Sequence, residues 1–154
     1  MVGLYHVIKD KRKLLLVMED GGKSSLAGIL RKNRTIPEEE AKVLFRKLTQ
    51  GVRYCHEQKV CHRDLKLENV LVDSAGQVKI IDFGFSSKSG QKMQNFCGTP
   101  PYMAPEIAAK VPYWGEPADM WALGVMLYLM LFGKFPFRAT SEKELYRLIQ
   151  QGKF

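Results

Sequence analysis

A nearly uninterrupted apolar run from Met120 to Phe132 constrains this 154-residue chain more than any other feature of its sequence. The run has thirteen residues, whereas a membrane-spanning helix needs about 20, so the run predicts a helix buried in a globular core. We expect that helix over about 118–132, ending near Gly133. At 17.6 kDa the chain is long enough for about one domain with one core.

A second helix is predicted directly after Thr35. Thr35 and Glu38 form a capping box, and Pro37 between them suits the first turn of a helix, where its missing N–H costs nothing. Apolar residues then recur every three or four positions, which places one buried stripe on a helix that runs to about Gln58. The stripe consists of Ala41, Leu44, Phe45, Leu48, Val52 and Cys55.

Turn residues and short apolar runs indicate the remaining elements. These are a strand at Leu14–Met18, a β-hairpin at 69–81 with its turn at 73–76, and a final helix at about 141–151. Ser141 is the expected N-cap of that helix, and Glu144 completes its capping box. Residues 83–117 are rich in Gly, Ser and Pro and predict an ordered but irregular loop, which at such a length is usually functional.

The formal net charge is +8, and the basic excess is concentrated in two clusters. The clusters are Lys9 with Lys11–Lys13, and Arg31–Lys32 with Arg34. Neither contains the interleaved aromatic residues that stack on bases, so we expect solvated surface and no nucleic-acid partner. A nucleic-acid interface is kept as a third alternative, which a steep salt dependence of binding would reveal.

The N-terminus lacks a signal-peptide pattern, because basic residues follow the short apolar stretch 2–8 and do not precede it. We therefore expect a cytoplasmic protein, with a nuclear location also open, and no membrane span. The three cysteines are odd in number and include no C-x-x-C pair, so neither disulfides nor a zinc site is indicated. We expect Cys55, Cys61 and Cys97 to be small buried hydrophobic residues.

Three short blocks of residues carry the chemistry of this chain. They are His62–Asn69 (HRDLKLEN), Asp82–Gly84 (DFG), which begins thirteen residues after Asn69, and Ala104–Glu106 (APE). In this order, and with a predicted hairpin between the first two, they match the signature set of protein kinases. The chain therefore resembles eukaryotic-type protein kinases over essentially its whole length.

Finer features favour one branch of that family. Lys66 after HRDL, together with Gly98–Pro100, resembles the serine/threonine pattern and not the tyrosine pattern. The stretches 82–86, 96–102 and 119–124 are most similar to the branch that contains the AMP-activated and microtubule-affinity-regulating kinases.

The resemblance implies an α+β fold of the protein-kinase type, mainly the helical C-lobe with the last N-lobe strands and the hinge. Residues 1–154 would be a partial kinase domain. Within it, 1–21 would form the end of the N-lobe and the hinge, and 22–154 an incomplete C-lobe.

The reaction implied by the resemblance is transfer of the γ-phosphoryl group of ATP to a Ser or Thr hydroxyl of a protein substrate. Such a reaction depends on positioning and on neutralising charge. Asp64 is expected to accept the hydroxyl proton, and Lys66 to place a positive charge beside the transferred group. Asn69 and Asp82 are expected to hold Mg²⁺, a hard cation that takes oxygen ligands.

The resemblance also implies roles for further residues. Met18 would be the gatekeeper, Leu71 the floor of the nucleotide pocket, and Glu19 and Gly21 would offer backbone groups to adenine. Glu68 would belong to the ATP site and could also favour a basic residue in the substrate. The other site residues are Thr99 and Glu106 in the activation segment, and the structural residues Arg63, Gly84 and the regulatory spine of Leu4, His62 and Phe83 anchored by Asp119.

One position departs from the pattern of this branch. Asn95 stands where the activating phosphothreonine would be, directly before Phe96–Gly98. Because Arg63 would pair with that phosphate, one of the serines Ser86, Ser87 and Ser89 or another mechanism would have to control activity. An upstream kinase or a regulatory subunit is therefore a partner that the resemblance allows.

Two hypotheses follow for function. The first is a serine/threonine kinase, because all the expected catalytic residues are present. The second is a non-catalytic kinase-derived fragment or pseudokinase-like binding module, because the 154 residues contain no Gly-rich loop, no lysine of the family's third strand and no helix C glutamate.

Overall fold

The computed structural model describes residues 2–22 and 24–154. Within them, the helices are α1 (Leu26–Asn33), α2 (Glu38–Glu57), α3 (Pro105–Ala108), α4 (Gly115–Phe132) and α5 (Glu142–Gln151). The strands are β1 (Leu4–Asp10), β2 (Lys13–Met18), β3 (Ser24–Ser25), β4 (Val60–Cys61), β5 (Val70–Val72), β6 (Val78–Ile80) and β7 (Ser87–Lys88). Short 3-10 turns form at Leu67–Asn69 and Pro100–Tyr102.

The core forms where α4 packs against α2. The predicted burial of the apolar run is confirmed for its central residues, since Met126 and Met130 of α4 are fully buried beside Leu48 of α2. The two ends of the run, Met120 and Phe132, are exposed. The predicted stripe on α2 is buried along its length, with Phe45 only partly covered. The combination of a helical core with small antiparallel sheets confirms the predicted α+β fold.

The predicted hairpin also forms, as β5 and β6 paired through Val70 and Ile80. Its turn is closed by the Asp73 carboxylate, whose Oδ1 accepts hydrogen bonds from the N–H groups of Ala75 and Gln77 at 2.9 and 2.8 Å. Such side-chain bonds to nearby backbone are typical of Asp in turns. The strand β3 pairs with the other edge of β5, so the hairpin is the centre of a three-stranded sheet.

The hairpin β1–β2 lies apart from this core and is exposed on both faces. An ion pair of 2.7 Å between Lys79 Nζ and Glu19 Oε1 connects the segment after β2 to β6. The hydrogen bond from Lys79 lowers the pKa of the Glu19 carboxyl. This pair therefore helps to fix the residues just after Met18 relative to the three-stranded sheet.

Some predicted boundaries were wrong. The Thr35 capping box does not form, because α2 begins at Glu38 with Pro37 at its N-cap position and no side chain caps it. The preceding segment is fixed elsewhere, since Ile36 N donates to Met130 O at 2.8 Å. Helix α4 begins at Gly115, earlier than the predicted residue 118.

Other elements were absent from the prediction. Helix α1 was not expected, although Ser25 Oγ caps it by accepting from Gly28 N at 3.1 Å. The loop 83–117 is irregular as predicted but contains β7, a 3-10 turn and α3. Cys97 is half-buried and not buried, unlike Cys55 and Cys61. In the part of the chain that the structure covers, no helix combines the length and hydrophobicity needed to cross a membrane.

Gly133 ends α4 and provides a test of this packing. Its φ is +67°, and a Cβ atom there would lie 2.3 Å from Arg34 O. We expect Gly133→Ala to lower the free energy of unfolding by more than about 1 kcal/mol, from left-handed strain and from this backbone clash. The measurement is urea unfolding followed by circular dichroism.

Gly124→Ala in the same helix is the matched control. A Cβ at Gly124 would meet nothing within 4 Å, so alanine should stabilise the helix by roughly 0.5–1 kcal/mol. Equal effects of the two substitutions would contradict the role given to Gly133.

Candidate active site

The buried carboxylate of Asp119 on α4 fixes the loop that carries the HRD residues. Asp119 is only 1% exposed, and it accepts hydrogen bonds from the backbone N–H groups of His62 at 2.9 Å and Arg63 at 2.8 Å. His56 Nε2 of α2 lies 2.8 Å from Asp119 Oδ2. These three contacts offset the cost of burying the charge. They also hold Arg63 at a left-handed φ of +69° directly before Asp64.

Asp64 lies at the centre of a cluster of side chains. Its carboxylate is held from two sides, because Thr99 Oγ1 donates to Oδ1 at 2.7 Å and Lys66 Nζ donates to Oδ2 at 2.7 Å. Lys66 Nζ also donates to Thr99 Oγ1 at 3.0 Å, which closes the cluster. Asn69 Nδ2 donates to the Asp64 carbonyl at 3.0 Å. The structure thus brings together Asp64, Lys66, Asn69 and Thr99, which the sequence analysis singled out.

Asn69 and Asp82 lie at the open ends of the β5–β6 hairpin. Asn69 directly precedes β5, and Ile81 N donates to Asn69 O at 3.0 Å, so the residue before Asp82 is bonded to Asn69. The Asn69 amide nitrogen faces Asp64, which leaves its oxygen for a cation. Asp82 has a left-handed φ of +62°. An amide oxygen and a carboxylate are ligands that suit Mg²⁺, so these two residues fit the ion.

The structural residues around DFG are only partly brought together. The His62 and Phe83 rings are in contact with centroids 4.8 Å apart, and His62 Nε2 lies 2.9 Å from Ile81 O. Gly84 N donates to Asp82 Oδ1 at 3.2 Å, which fixes the Asp82 carboxylate. Leu4 lies on β1 and is 55% exposed, like the rest of the β1–β2 hairpin, and its place in this stack stays a prediction.

The residues expected at the adenine end lie between β2 and β5. Met18 is the last residue of β2 and is exposed, while Gly21 is buried against Leu71. A Cβ atom at Gly21 would lie 2.3 Å from Leu71 Cδ1, so a larger residue there would displace Leu71. The Glu19 N–H donates to Gly3 O at 2.8 Å, which ties the segment after β2 to the residue before β1.

Glu68 and Glu106 lie on the side of the activation segment. The Tyr102 hydroxyl donates to Glu68 Oε2 at 3.4 Å, and burial raises the pKa of Tyr102. Glu68 lines an open groove together with Arg31, Phe132 and other residues of α1 and α4. Glu106 lies in the first turn of α3, and its backbone carbonyl accepts from Val111 N at 3.1 Å.

Three residues of this region were missed by the sequence analysis. His56 contacts Asp119 across 63 positions, Tyr113 contacts Arg63 across 50, and Tyr102 contacts Glu68 across 34. None belongs to a signature block, and hydrophobic periodicity gives no signal for such distant polar pairs. The only available signal was the strong expectation that buried polar groups find partners.

His56, Cys61 and Asp119 place their donor atoms within 4.8 Å of one another. The group does not suit a metal ion, because His56 and Asp119 are already in direct contact at 2.8 Å. Burial, with the nearby Glu116, raises the pKa of the Cys61 thiol to about 12. Cys61 is therefore an inert buried side chain.

The helical core supports an HRD loop and a DFG turn, and the cluster of Asp64, Lys66, Asn69 and Thr99 lies beside them. Comparison with known families matches residues 1–153 to the protein kinase domain. The chain belongs to this family, as the sequence analysis expected.

The relatives found among characterised proteins are kinases. Mouse sperm motility kinase 3A is 46% identical over 100% of this chain and 31% of its own length. Mouse sperm motility kinase 1 is 43% identical over 100% of this chain and 32% of its own length. Human NUAK family SNF1-like kinase 1 is 40% identical over 100% of this chain and 24% of its own length. The predicted branch is thereby confirmed, and the chain spans a third or less of the length of these relatives.

Asp119→Asn tests the anchor of the HRD loop. An asparagine amide has only one oxygen acceptor, so its NH₂ group would face one of the backbone N–H groups of His62 and Arg63 and leave that N–H without an acceptor. We expect a loss of about 2–4 kcal/mol in the free energy of unfolding, because a buried charged acceptor is removed. Chemical denaturation measures it.

Asp10→Asn is the control, since Asp10 is exposed and its Oδ1 accepts only from Lys11 N among the described hydrogen bonds. The control should stay within about 0.5 kcal/mol of the unchanged protein. A comparably small effect at Asp119 would show that the loop does not depend on this carboxylate.

Proposed function

We propose that this protein is a serine/threonine protein kinase, which transfers the γ-phosphoryl group of ATP to a Ser or Thr hydroxyl of a protein substrate. The observation that carries the proposal is the geometry of Asp64, whose two carboxylate oxygens are held by Thr99 and by Lys66. Membership in the protein kinase family supports it independently.

Asp64 is the proposed acceptor of the hydroxyl proton. Asp64 is 4% exposed and its carboxylate is fixed by hydrogen bonds, so it is preorganised to orient an attacking hydroxyl. Lys66 Nζ donates to both Asp64 and Thr99, and this contact supports the proposed role of its ammonium group beside the transferred phosphoryl group. The positive charge would stabilise the negative charge on the transferred phosphoryl group.

Asn69 and Asp82 are the proposed ligands of Mg²⁺. When bound, the ion would neutralise the phosphates of ATP. The two strands of one hairpin bring these residues side by side at its open end, because Ile81 N donates to the Asn69 carbonyl. The proposed adenine contacts are the backbone groups of Glu19 and Gly21, with Met18 and Leu71 beside them.

The alternative is a non-catalytic, kinase-derived binding module. Intact Asp64, Lys66, Asn69 and Asp82 favour the catalytic proposal. Turnover by the full-length protein with ATP, Mg²⁺ and a generic Ser-containing peptide decides between catalysis and binding alone.

We also propose that the protein is located in the cytoplasm or in the nucleus. A hinge within residues 1–21 and an upstream kinase or regulatory subunit as partner are further parts of the proposal.

Asp64→Asn provides the direct test of the base. We expect phosphoryl transfer to fall by about 10²–10⁴-fold, because the amide cannot accept the hydroxyl proton, while ATP binding stays largely intact. Radiolabelled phosphate transfer and calorimetric titration with Mg²⁺ and ATP measure the two properties separately. Retained turnover would contradict the role given to Asp64, and an unchanged level of zero turnover in both proteins would support the binding module.

Thr99→Val and Thr99→Ser together test the contact that orients the base. Valine has nearly the shape of threonine but removes the hydroxyl that donates to Asp64 and accepts from Lys66. We expect kcat to fall by about ten- to a hundredfold, the equivalent of a hydrogen bond to a charged group. Thr99→Ser keeps the hydroxyl and should retain most of the rate. A serine variant as slow as the valine variant would exclude this role.

A further inference from the structure

The Arg63 guanidinium joins the HRD loop to the segment that follows DFG. Nε donates to the Tyr113 hydroxyl at 2.9 Å, Nη1 donates to Phe85 O at 3.3 Å, and Nη2 donates to Asn95 O. Its partners are therefore one neutral hydroxyl and two backbone carbonyls. Among the ion pairs of residues 2–22 and 24–154, none involves Arg63.

Tyr113 completes this connection from the other side. Its hydroxyl accepts from Arg63 and donates to Asn95 O at 3.1 Å, so the carbonyl of Asn95 receives two hydrogen bonds. The backbone of Tyr113 pairs with Met93 in both directions, at 2.8 and 3.1 Å. Its ring lies 6.4 Å from that of Phe96. The side chain and backbone of Tyr113 thus hold residues 93–96 through three separate contacts.

The Tyr113 hydroxyl is suited to this role. The side chain is only 2% exposed, and this burial raises the pKa of Tyr113. The hydroxyl therefore keeps its proton and can donate to Asn95 O. Arg63 also lies over the ring, with Cζ 5.8 Å from the centroid, which adds a cation–π attraction.

The segment held in this way leads directly to the reacting groups. Thr99, which bonds Asp64, is only four residues after Asn95. Between them, Gly98 has a φ of +118°, and a Cβ atom there would lie 2.9 Å from Arg63 O. Residues 95–99 therefore run closely along the HRD loop, and the position of Asn95 limits where Thr99 can lie.

We propose that Tyr113 is a positioning residue for phosphoryl transfer. Its hydroxyl holds Asn95, and through Asn95 also Thr99, in place when residues 93–99 carry no phosphate group. The proposal rests on the proposed kinase function for its effect on rate. Asn95 has no hydroxyl that a kinase could phosphorylate. Each of the three nitrogen atoms of the Arg63 guanidinium already donates a hydrogen bond to a neutral oxygen atom. Hydrogen bonds therefore supply the order that a phosphate–arginine pair would otherwise give.

The test compares Tyr113→Phe with Tyr54→Phe in the full-length protein after phosphatase treatment, with mass spectrometry to verify that no phosphate remains. Tyr54 is an exposed tyrosine on α2 and serves as the matched control. Phenylalanine at position 113 keeps the ring and the backbone contacts but removes the hydroxyl. We expect amide hydrogen exchange in residues 86–99 to become about tenfold faster, the effect of losing the hydrogen bond to Asn95 O, and to be unchanged in the control.

A kinetic readout separates positioning from general loss of structure. In Tyr113→Phe, kcat should fall about tenfold while the KM for ATP and exchange in α2 and α4 stay unchanged. Exchange at 86–99 equal to that of Tyr54→Phe would overturn the proposal. So would an unphosphorylated wild-type protein that gains protection at 86–99 only after an upstream kinase modifies it. Absence of turnover in the wild type would instead contradict the proposed function, and the exchange comparison would still decide whether Tyr113 holds the segment.

Discussion

The carboxylate of Asp119 organises the site from inside the protein. It lies on α4, which packs against α2 in the core, and accepts hydrogen bonds from the N–H groups of two consecutive residues of the HRD loop. Two consecutive N–H groups converge on one carboxylate only if the backbone turns sharply, and Arg63 makes this turn at a positive φ. A left-handed conformation costs roughly 1–2 kcal/mol for a residue with a Cβ, so the loop depends on these bonds to persist.

The effect of this anchor extends outward through Arg63 and Asp64. Because the backbone is fixed at Arg63, its side chain points to Asn95, Phe85 and Tyr113, while Asp64 faces Thr99 and Lys66. The HRD loop therefore contacts the later segment both through a cation, Arg63, and through an anion, Asp64. A shift of residues 95–99 would disturb both contacts, which couples the order of the segment to the geometry of Asp64.

The parts of the fold that follow a short-range pattern were predictable. The α2 stripe, the α4 apolar run and the β5–β6 hairpin are each defined by residues only a few positions apart, and all three form. The Thr35 cap failed for a tertiary reason, because Ile36 N bonds to Met130 O, nearly a hundred positions away. Helix α1 was missed although Leu26, Ile29 and Leu30 recur at helical spacing, because eight residues are too few for periodicity to distinguish a helix from a strand.

The candidate site shows the same division. Signature blocks identified Asp64, Lys66, Asn69 and Asp82, which lie on or beside one loop and one hairpin. They could not identify His56 or Tyr113, because each contacts the site through a polar group across at least 50 positions of sequence. Likewise, the exposure of Leu4 depends on which residues pack on β1, and the sequence near Leu4 does not predict those contacts.

Two residues of the candidate site, Arg63 and Asp82, have a strained left-handed backbone. Arg63 and Asp82 are two of the described non-glycine residues with positive φ; Arg63 directly precedes Asp64, and Asp82 is the first residue of the DFG turn. Each is stabilised by bonds of a neighbouring carboxylate to backbone N–H groups, from Asp119 in one case and from Asp82 itself to Gly84 in the other. The two strained positions have different supports, one in the buried core and one at the surface. Asp64 is therefore the more firmly held group, because its loop is anchored in the core, whereas Asp82 is exposed and its carboxylate is held by the local bond from Gly84 N.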